Sequence, residues 1–336
     1  MTLRQEIAPR LSAVAGAAVV ELEGVTKTFG AVRALNGVTL RIDPGQVYGV
    51  LGPNGAGKTT LMRILLGLIR SHTGTVKVLG RTPGDSRALR RIGALIESPA
   101  FVPHLSGRAN LRVLARARGL SEAEVGRVLR VVDMERAADR RVSGYSLGMR
   151  QRLGVAAALL GDPALVILDE PTNGLDPEGT ASMRSLIREL REHATVLLSS
   201  HLLSEVQQVC DRVMVLDRGE IAAEDTVAAL LSRTPSGAVA LWLRPVDAAE
   251  RVLRANPAWA GAVRAGGADD PHWRLDLPPD GVPGLVRALV EAGVEVHEAR
   301  RERPSLEEVF FALTAHDHSP GHSPGHSAGH STGDAS

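Results

Sequence analysis

VYGVLGPNGAGKTTLMRILLGL, residues 47–68, decides the fold. Val47–Leu51 is a short, unbroken apolar run and reads as a buried strand. GPNGAGKTT follows, and apolar residues then recur at Leu61, Ile64, Leu65 and Leu68, the spacing of one helical face. Strand, glycine-rich turn and helix frame the pattern GxxxxGK(S/T), with Gly52, Gly57, Lys58 and Thr59 at its fixed places. Pro53, Asn54, Gly55 and Ala56 complete a loop whose backbone N–H groups close around phosphate oxygens, and Thr60 ends it. The helix behind adds a fractional positive charge, about half an elementary unit, at its N-terminus. In such a loop Lys58 reaches the β- and γ-phosphates and the Thr59 hydroxyl is a ligand for Mg2+. The stretch predicts a nucleoside-triphosphate site.

The 336 residues leave room for about two domains. With 44% hydrophobic and 23% charged residues, the chain is globular in composition and has material for a core. A formal net charge of +1 argues against nucleic acid or an anionic membrane surface as a direct partner. The single Cys210 rules out an intrachain disulfide and suits a reducing compartment. No stretch reaches the roughly 18 uninterrupted apolar residues of a membrane span. The nearest, Val155–Leu168, is broken by Gly161, Asp162 and Pro163. The N-terminal MTLRQEIAPRLSAVAGAAVV places Glu6 where a secretory signal would be basic and runs straight into a strand, so residues 1–17 read as a disordered leader. A soluble chain is expected.

Around the loop, Val19–Val25 and Val32–Ile42 alternate like strands of a small antiparallel sheet. Gly74–Leu79 and Ile92–Ile96 read as further strands, the second ending at Glu97 in IGALIESPAF. From Ser106 to about Leu160 the pattern is helical and arginine-rich. Strands and helices alternate again from Leu165: LVILDE, a helix from Pro177, TVLLSS, a helix from Leu202, RVMVLD. Such alternation with continuous apolar strands predicts an α/β fold, a mostly parallel sheet covered on both faces. SRTPSG, residues 232–237, reads as a linker. Beyond it strand, helix, strand, helix and strand are expected over Ala238–Leu243, Ala248–Ala255, Trp273–Leu277, Leu285–Ala292 and Val294–Ala299, and Pro304 and Ser305 start a helix through VFFAL. The domains expected are therefore a nucleotide-binding unit over 18–231, with a helical subdomain at about 98–160, and an α+β accessory unit over 232–315. The Ser/Pro/Gly/His tail, 316–336, cannot bury a core; its five histidines are a compositional metal-binding feature without fixed ligand geometry.

Several residues outside the loop carry chemistry. Asp169 ends an apolar strand, where it holds Mg2+ through water, and the adjacent Glu170 is placed to polarise an attacking water. Ser146 and Gly148, in YSLGM, open a helix and form either a second anion-binding end or a plain N-cap. His201 follows TVLLSS and is either a hydrogen-bond donor to a γ-phosphate or a structural histidine. Asp176, in NGLDP, follows closely on the Asp-Glu pair and should lie near the site. Phe29, in VTKTFGAV, is either a core aromatic or a ring stacked on adenine.

Taken together, GPNGAGKTT, YSLGMRQRLGVA, LVILDEPTNGLDP and SSHLLSEV resemble the ATP-binding subunits of ABC transporters over residues 19–225. The resemblance implies a P-loop NTPase of the ABC ATPase type, with ATP and Mg2+ as cofactors. It also implies two copies set head to tail, each ATP held between one chain's phosphate loop and the other chain's Ser146–Gly148 segment. It makes Glu170 the catalytic base, puts His201 on the γ-phosphate and stacks Phe29 on adenine. Two departures stand out. The family's usual signature is Leu-Ser-Gly-Gly-Gln, here Tyr-Ser-Leu-Gly-Met, and the position that usually carries a glutamine near Mg2+ is Glu97.

IGALIESPAF, YSLGMRQRLG and the closing PSLEEVFFAL look like the bacitracin-resistance and lantibiotic-immunity branch of drug exporters. That implies a separate integral-membrane permease as partner and a cytoplasmic location on the inner face of the membrane, and Glu97 is expected to bind Mg2+ and couple hydrolysis to the permease. The alternative is a soluble ATPase of the same superfamily acting in translation or DNA repair. Relatives of that kind tend to carry two cassettes, coiled-coil insertions or zinc sites, and none of these is evident here.

Overall fold

The computed structural model describes residues 17–97, 99–233, 238–264, 270–302 and 305–315. The expectations for the leader and the histidine tail lie outside the described residues. The chain opens with β1 (Val20–Phe29), β2 (Val32–Ile42) and β3 (Val47–Leu51), the last buried throughout, then the loop and α1 (Lys58–Leu65). β4 (Thr73–Val78), α2 (Ser86–Leu89) and β5 (Ile92–Leu95) follow. Helix α1 ends sooner than its apolar spacing predicts. Gly67 takes a left-handed φ of 71°, and Leu68 lies beyond the helix, exposed.

A helical insert comes next: α3 (Gly107–Ala117), α4 (Glu122–Val131) and α5 (Leu147–Ala158). Ser106 and Ser146 start α3 and α5, each side-chain oxygen accepting a backbone N–H three residues on. The chain then alternates through β6 (Leu165–Asp169), α6 (Pro177–Leu190), β7 (Thr195–Ser200), α7 (Leu203–Val209) and β8 (Arg212–Asp217). β9 (Glu220–Thr226), absent from the sequence reading, returns antiparallel on β8. Its turn is Arg218-Gly219, both at positive φ, the twist of a tight hairpin, and its residues EIAAEDT lack the apolar alternation that marks a strand.

Six strands form the central sheet in the order β5-β6-β7-β3-β8-β9, parallel except for β9. Alternation along β3 sends Val47 and Leu51 to one face, beneath the insert and α6–α7, and Tyr48 and Val50 to the other. That second face is covered by α1 and by an antiparallel sheet ordered β2-β1-β4. The mostly parallel core, small antiparallel sheet and helical insert are as expected.

After α8 (Val227–Arg233) the accessory unit comprises β10 (Ala238–Arg244), α9 (Val246–Ala255), β11 (Val263–Arg264), β12 (His272–Asp276), α10 (Val282–Glu291) and β13 (Glu295–Arg301). Its antiparallel sheet, ordered β11-β12-β10-β13, has its own core around Leu241, Leu243, Leu253 and Leu289. The two-residue β11 had no sequence signal. The last helix, α11 (Leu306–Ala315), packs elsewhere, against α7, α8 and β9, with Leu306 and Val309 buried in the core that Val206, Val209 and Leu230 share.

Candidate functional site

Three adjacent strands, β6, β7 and β3, end at the same edge of the central sheet. Leu51 pairs with Ser200, and Asp169 with Ser199. The phosphate loop, the Asp169-Glu170 pair and His201 therefore converge, although they come from three distant parts of the chain. The carboxyl end of a parallel sheet is where such folds place ligands.

Two loop glycines are required by space. A Cβ on Gly52 would lie 2.2 Å from the Leu216 carbonyl oxygen, and one on Gly57 would lie 2.4 Å from that of Ala34. The loop is thus pressed against β8 and β2. Lys58 is buried, and its ammonium donates to the carbonyls of Gly52 at 2.7 Å and Pro53 at 3.2 Å. It also lies 3.5 Å from Glu170 Oε1.

Thr59 Oγ1 donates to Asp169 Oδ2 at 2.9 Å, and Ser199 Oγ donates to Asp169 Oδ1. Ser199 Oγ also accepts the backbone N–H of Glu170 at 2.9 Å. One buried serine thereby orients both acids. Glu170 sits just past the end of β6 with a left-handed φ of 49°, a conformation rare for a glutamate and typical of strained functional positions. Its Oε2 accepts from His201 Nδ1 at 2.7 Å. Two residues further on, Thr172 Oγ1 donates at 2.5 Å to the buried carboxylate of Glu205 on α7. Neither Ser199 nor Glu205 was singled out from the sequence. Their only signals are a Ser-Ser pair closing an apolar strand and an acid in SSHLLSEV.

Ser146, Gly148 and Asp176 come together in a second place, a concave surface that Leu175, Gly179 and Ser182 also line. Asp176, expected near the site, caps α6, its Oδ1 accepting the Gly179 N–H at 2.9 Å. Ser146 is the N-cap of α5, its Oγ accepting the Met149 N–H at 3.2 Å. Among the described residues nothing requires Gly148 to lack a side chain: an added Cβ would meet Leu175 at an ordinary 3.7 Å.

Phe29 is the last residue of β1. It is 48% exposed, which excludes the core reading, and Lys27 Nζ stands 5.0 Å from its ring centroid. Glu97 has a φ of 60°, is exposed, and pairs with Arg63, one helical turn beyond Thr59 on α1. That ion pair, not Thr59 or Asp169, engages its carboxylate. Among the described residues no cluster of three or more His, Cys, Asp or Glu could hold a metal ion, and no helix is long and apolar enough to cross a membrane. The Thr59 hydroxyl and Asp169 carboxylate do suit Mg2+, which takes a few hard oxygen ligands from protein and the rest from water and phosphate.

The family model described as ABC transporter matches residues 35–173. The daunorubicin resistance ATP-binding protein DrrA3 of Streptomyces coeruleorubidus is 37% identical over 310 residues, 89% of this chain and 96% of that protein. The bacitracin transport ATP-binding protein BcrA of Enterococcus faecalis is 40% identical over 220 residues, 64% of this chain and 71% of its own length. Among solved structures, a dimeric ATP-binding cassette in a post-hydrolysis state with ADP and Pi superposes with a TM-score of 0.55 at 25% identity, over 62% of this chain and 98% of that one.

Proposed function

From the premise that the chain belongs to the ABC transporter family, as an ATP-binding subunit and ATPase, we propose that it powers the export of an antibiotic, peptide or other drug-like compound. The permease is a separate integral-membrane chain, and this subunit sits on the cytoplasmic face of the membrane. Two copies pair head to tail around two ATP molecules. The separation of the site into two places carries this reading. Lys58, Thr59, Asp169, Glu170 and His201 converge at one sheet edge, while Ser146, Gly148 and Asp176 line another surface. A glycine with room for a side chain in its own chain suits a close approach from outside it, here a phosphate carried by the second copy.

Bound MgATP would supply a γ-phosphoryl group whose transfer leaves negative charge spread over its three equatorial oxygens. Lys58 and the loop N–H groups hold the β- and γ-phosphates, and Thr59 with Asp169 holds Mg2+. Glu170 accepts the proton of the attacking water. Its left-handed backbone, the ion pair with Lys58 and the hydrogen bond with His201 fix where that carboxylate points. With Nδ1 hydrogen-bonded to Glu170, His201 faces the phosphate through Nε2. Phe29, exposed at the end of β1, stacks on adenine.

Glu97 leads from β5 into the insert, whose surface exposes Val102, Val113 and Leu114. We assign that apolar surface to the permease's cytosolic segment. Purification with membranes tests the reading: an integral-membrane chain should accompany the protein. Recovery of ribosomes or DNA in its place would overturn it.

A further inference from the structure

Helix α11 follows the accessory sheet in sequence but is anchored on two sides. Leu306 and Val309 are buried in the core of the nucleotide-binding unit, in the same cluster as Val206, Val209 and Leu230. The Leu306 N–H donates to Gln207 Oε1 on α7 at 3.1 Å. On the accessory side, Glu308 pairs with Arg274 of β12, which also meets Glu302 at 2.7 Å.

The helix that α11 touches is the one behind the hydrolytic residues. α7 begins two residues after His201, and its Glu205 holds Thr172 in the segment running from Glu170 to Asp176. It lies directly on β3: a Cβ at Gly49 would come within 2.9 Å of Val206 and 3.0 Å of Cys210. With only seven residues, α7 has too few turns to be stable alone, so its position is set by what packs on it.

We propose that α11 is a strut which, through α7, positions His201 and the Glu170–Asp176 segment, so that hydrolysis depends on the docking of the accessory unit. Leu306 and Val309 are positioning residues in this scheme and touch no nucleotide. The inference rests on the reading of Glu170 and His201 given above.

The test uses the full chain with Leu306→Ala, Arg274→Ala and the conservative Leu306→Met, read by amide hydrogen exchange and by steady-state ATP hydrolysis. Leu306→Ala should raise exchange across α7 at least about tenfold with α1 unchanged, and should lower kcat about tenfold with KM for ATP within about twofold. Arg274→Ala should show the same pattern in smaller measure. Leu306→Met should restore both readouts. Unchanged α7 exchange in Leu306→Ala overturns the strut. So does raised α7 exchange with full kcat, or a rise shared equally by α1, which would mark general destabilisation. Glu170→Gln separates the two claims: wild-type hydrolysis by that variant refutes the catalytic reading, and with it the link from α11 to hydrolysis.

Discussion

The two oxygens of one carboxylate are held by two different partners: His201 Nδ1 stands 2.7 Å from Glu170 Oε2, and Lys58 Nζ stands 3.5 Å from Glu170 Oε1. The residue proposed to take the water's proton is thereby joined to the residue proposed to bind phosphate and to the one that follows β7. Glu170→Gln should keep ATP binding and lower single-turnover Pi release by about 10²–10⁴-fold. His201→Ala should lose less, because it orients the base without replacing it. A Glu170→Gln variant that releases Pi at the unaltered rate would remove Glu170 from the chemistry.

Ser199 is buried and serves both acids at once, donating to Asp169 and accepting from the Glu170 N–H. Ser199→Ala takes the hydroxyl donor from the buried Asp169 Oδ1, while the Glu170 N–H keeps the Ser199 carbonyl at 3.3 Å, at a cost of about 1–3 kcal/mol. Thermal unfolding should move down by several degrees, and the Mg2+ needed for half-maximal hydrolysis should rise. If neither moves, the two acids are held by other means.

The Arg63–Glu97 ion pair opposes any contact between Glu97 and Mg2+. Both side chains are exposed, so the pair is worth about 0.2–1 kcal/mol. Arg63→Ala should therefore lower the half-saturating Mg2+ concentration by about two- to fivefold at most, and Glu97→Gln should alter it as well. Identical Mg2+ titrations in both variants would show that Glu97 takes no part in metal binding.

Cys210 closes α7 against β3, and burial pushes its thiol well above the ordinary cysteine range, with the Asp211 carboxylate adding to the effect. The thiolate is the reactive form. A disulfide reagent near pH 8 should label the folded chain at least about a hundredfold more slowly than the chain in denaturant. Rapid labelling of the folded protein would contradict the packing of α7 on β3.

How much of this was legible in the sequence depends on how local each signal is. The phosphate loop could be read because one continuous stretch holds strand, glycines, Lys58 and helix. Asp169 and Glu170 could be read because an apolar strand ends in acids. Ser199 and Glu205 could not, since their roles arise only when β7 lies beside β6 and α7 lies behind Thr172. Asp176 could be read as lying near the site, but its capping of α6 and its place beside Ser146 could not, since both depend on α5 and α6 standing side by side. The docking of α11 was illegible for the same reason as the role of Ser199: LEEVF is apolar and helical wherever it packs.

The central claim is that each chain holds half of two sites. It is tested most directly by mixing two inactive variants. Lys58→Ala disables the phosphate loop. Gly148→Asp puts a carboxylate where the partner's phosphate is proposed to lie; its Cβ meets only ordinary contacts, and an acid suits the first turn of α5. In a head-to-tail pair of unlike copies, one site combines both lesions and the other is intact. Mixing equal amounts should therefore restore hydrolysis to about a quarter of the unaltered rate, since half the pairs are mixed and each has one good site of two. If the mixture hydrolyses no more ATP than the two variants apart, the site is complete within one chain and the account is wrong.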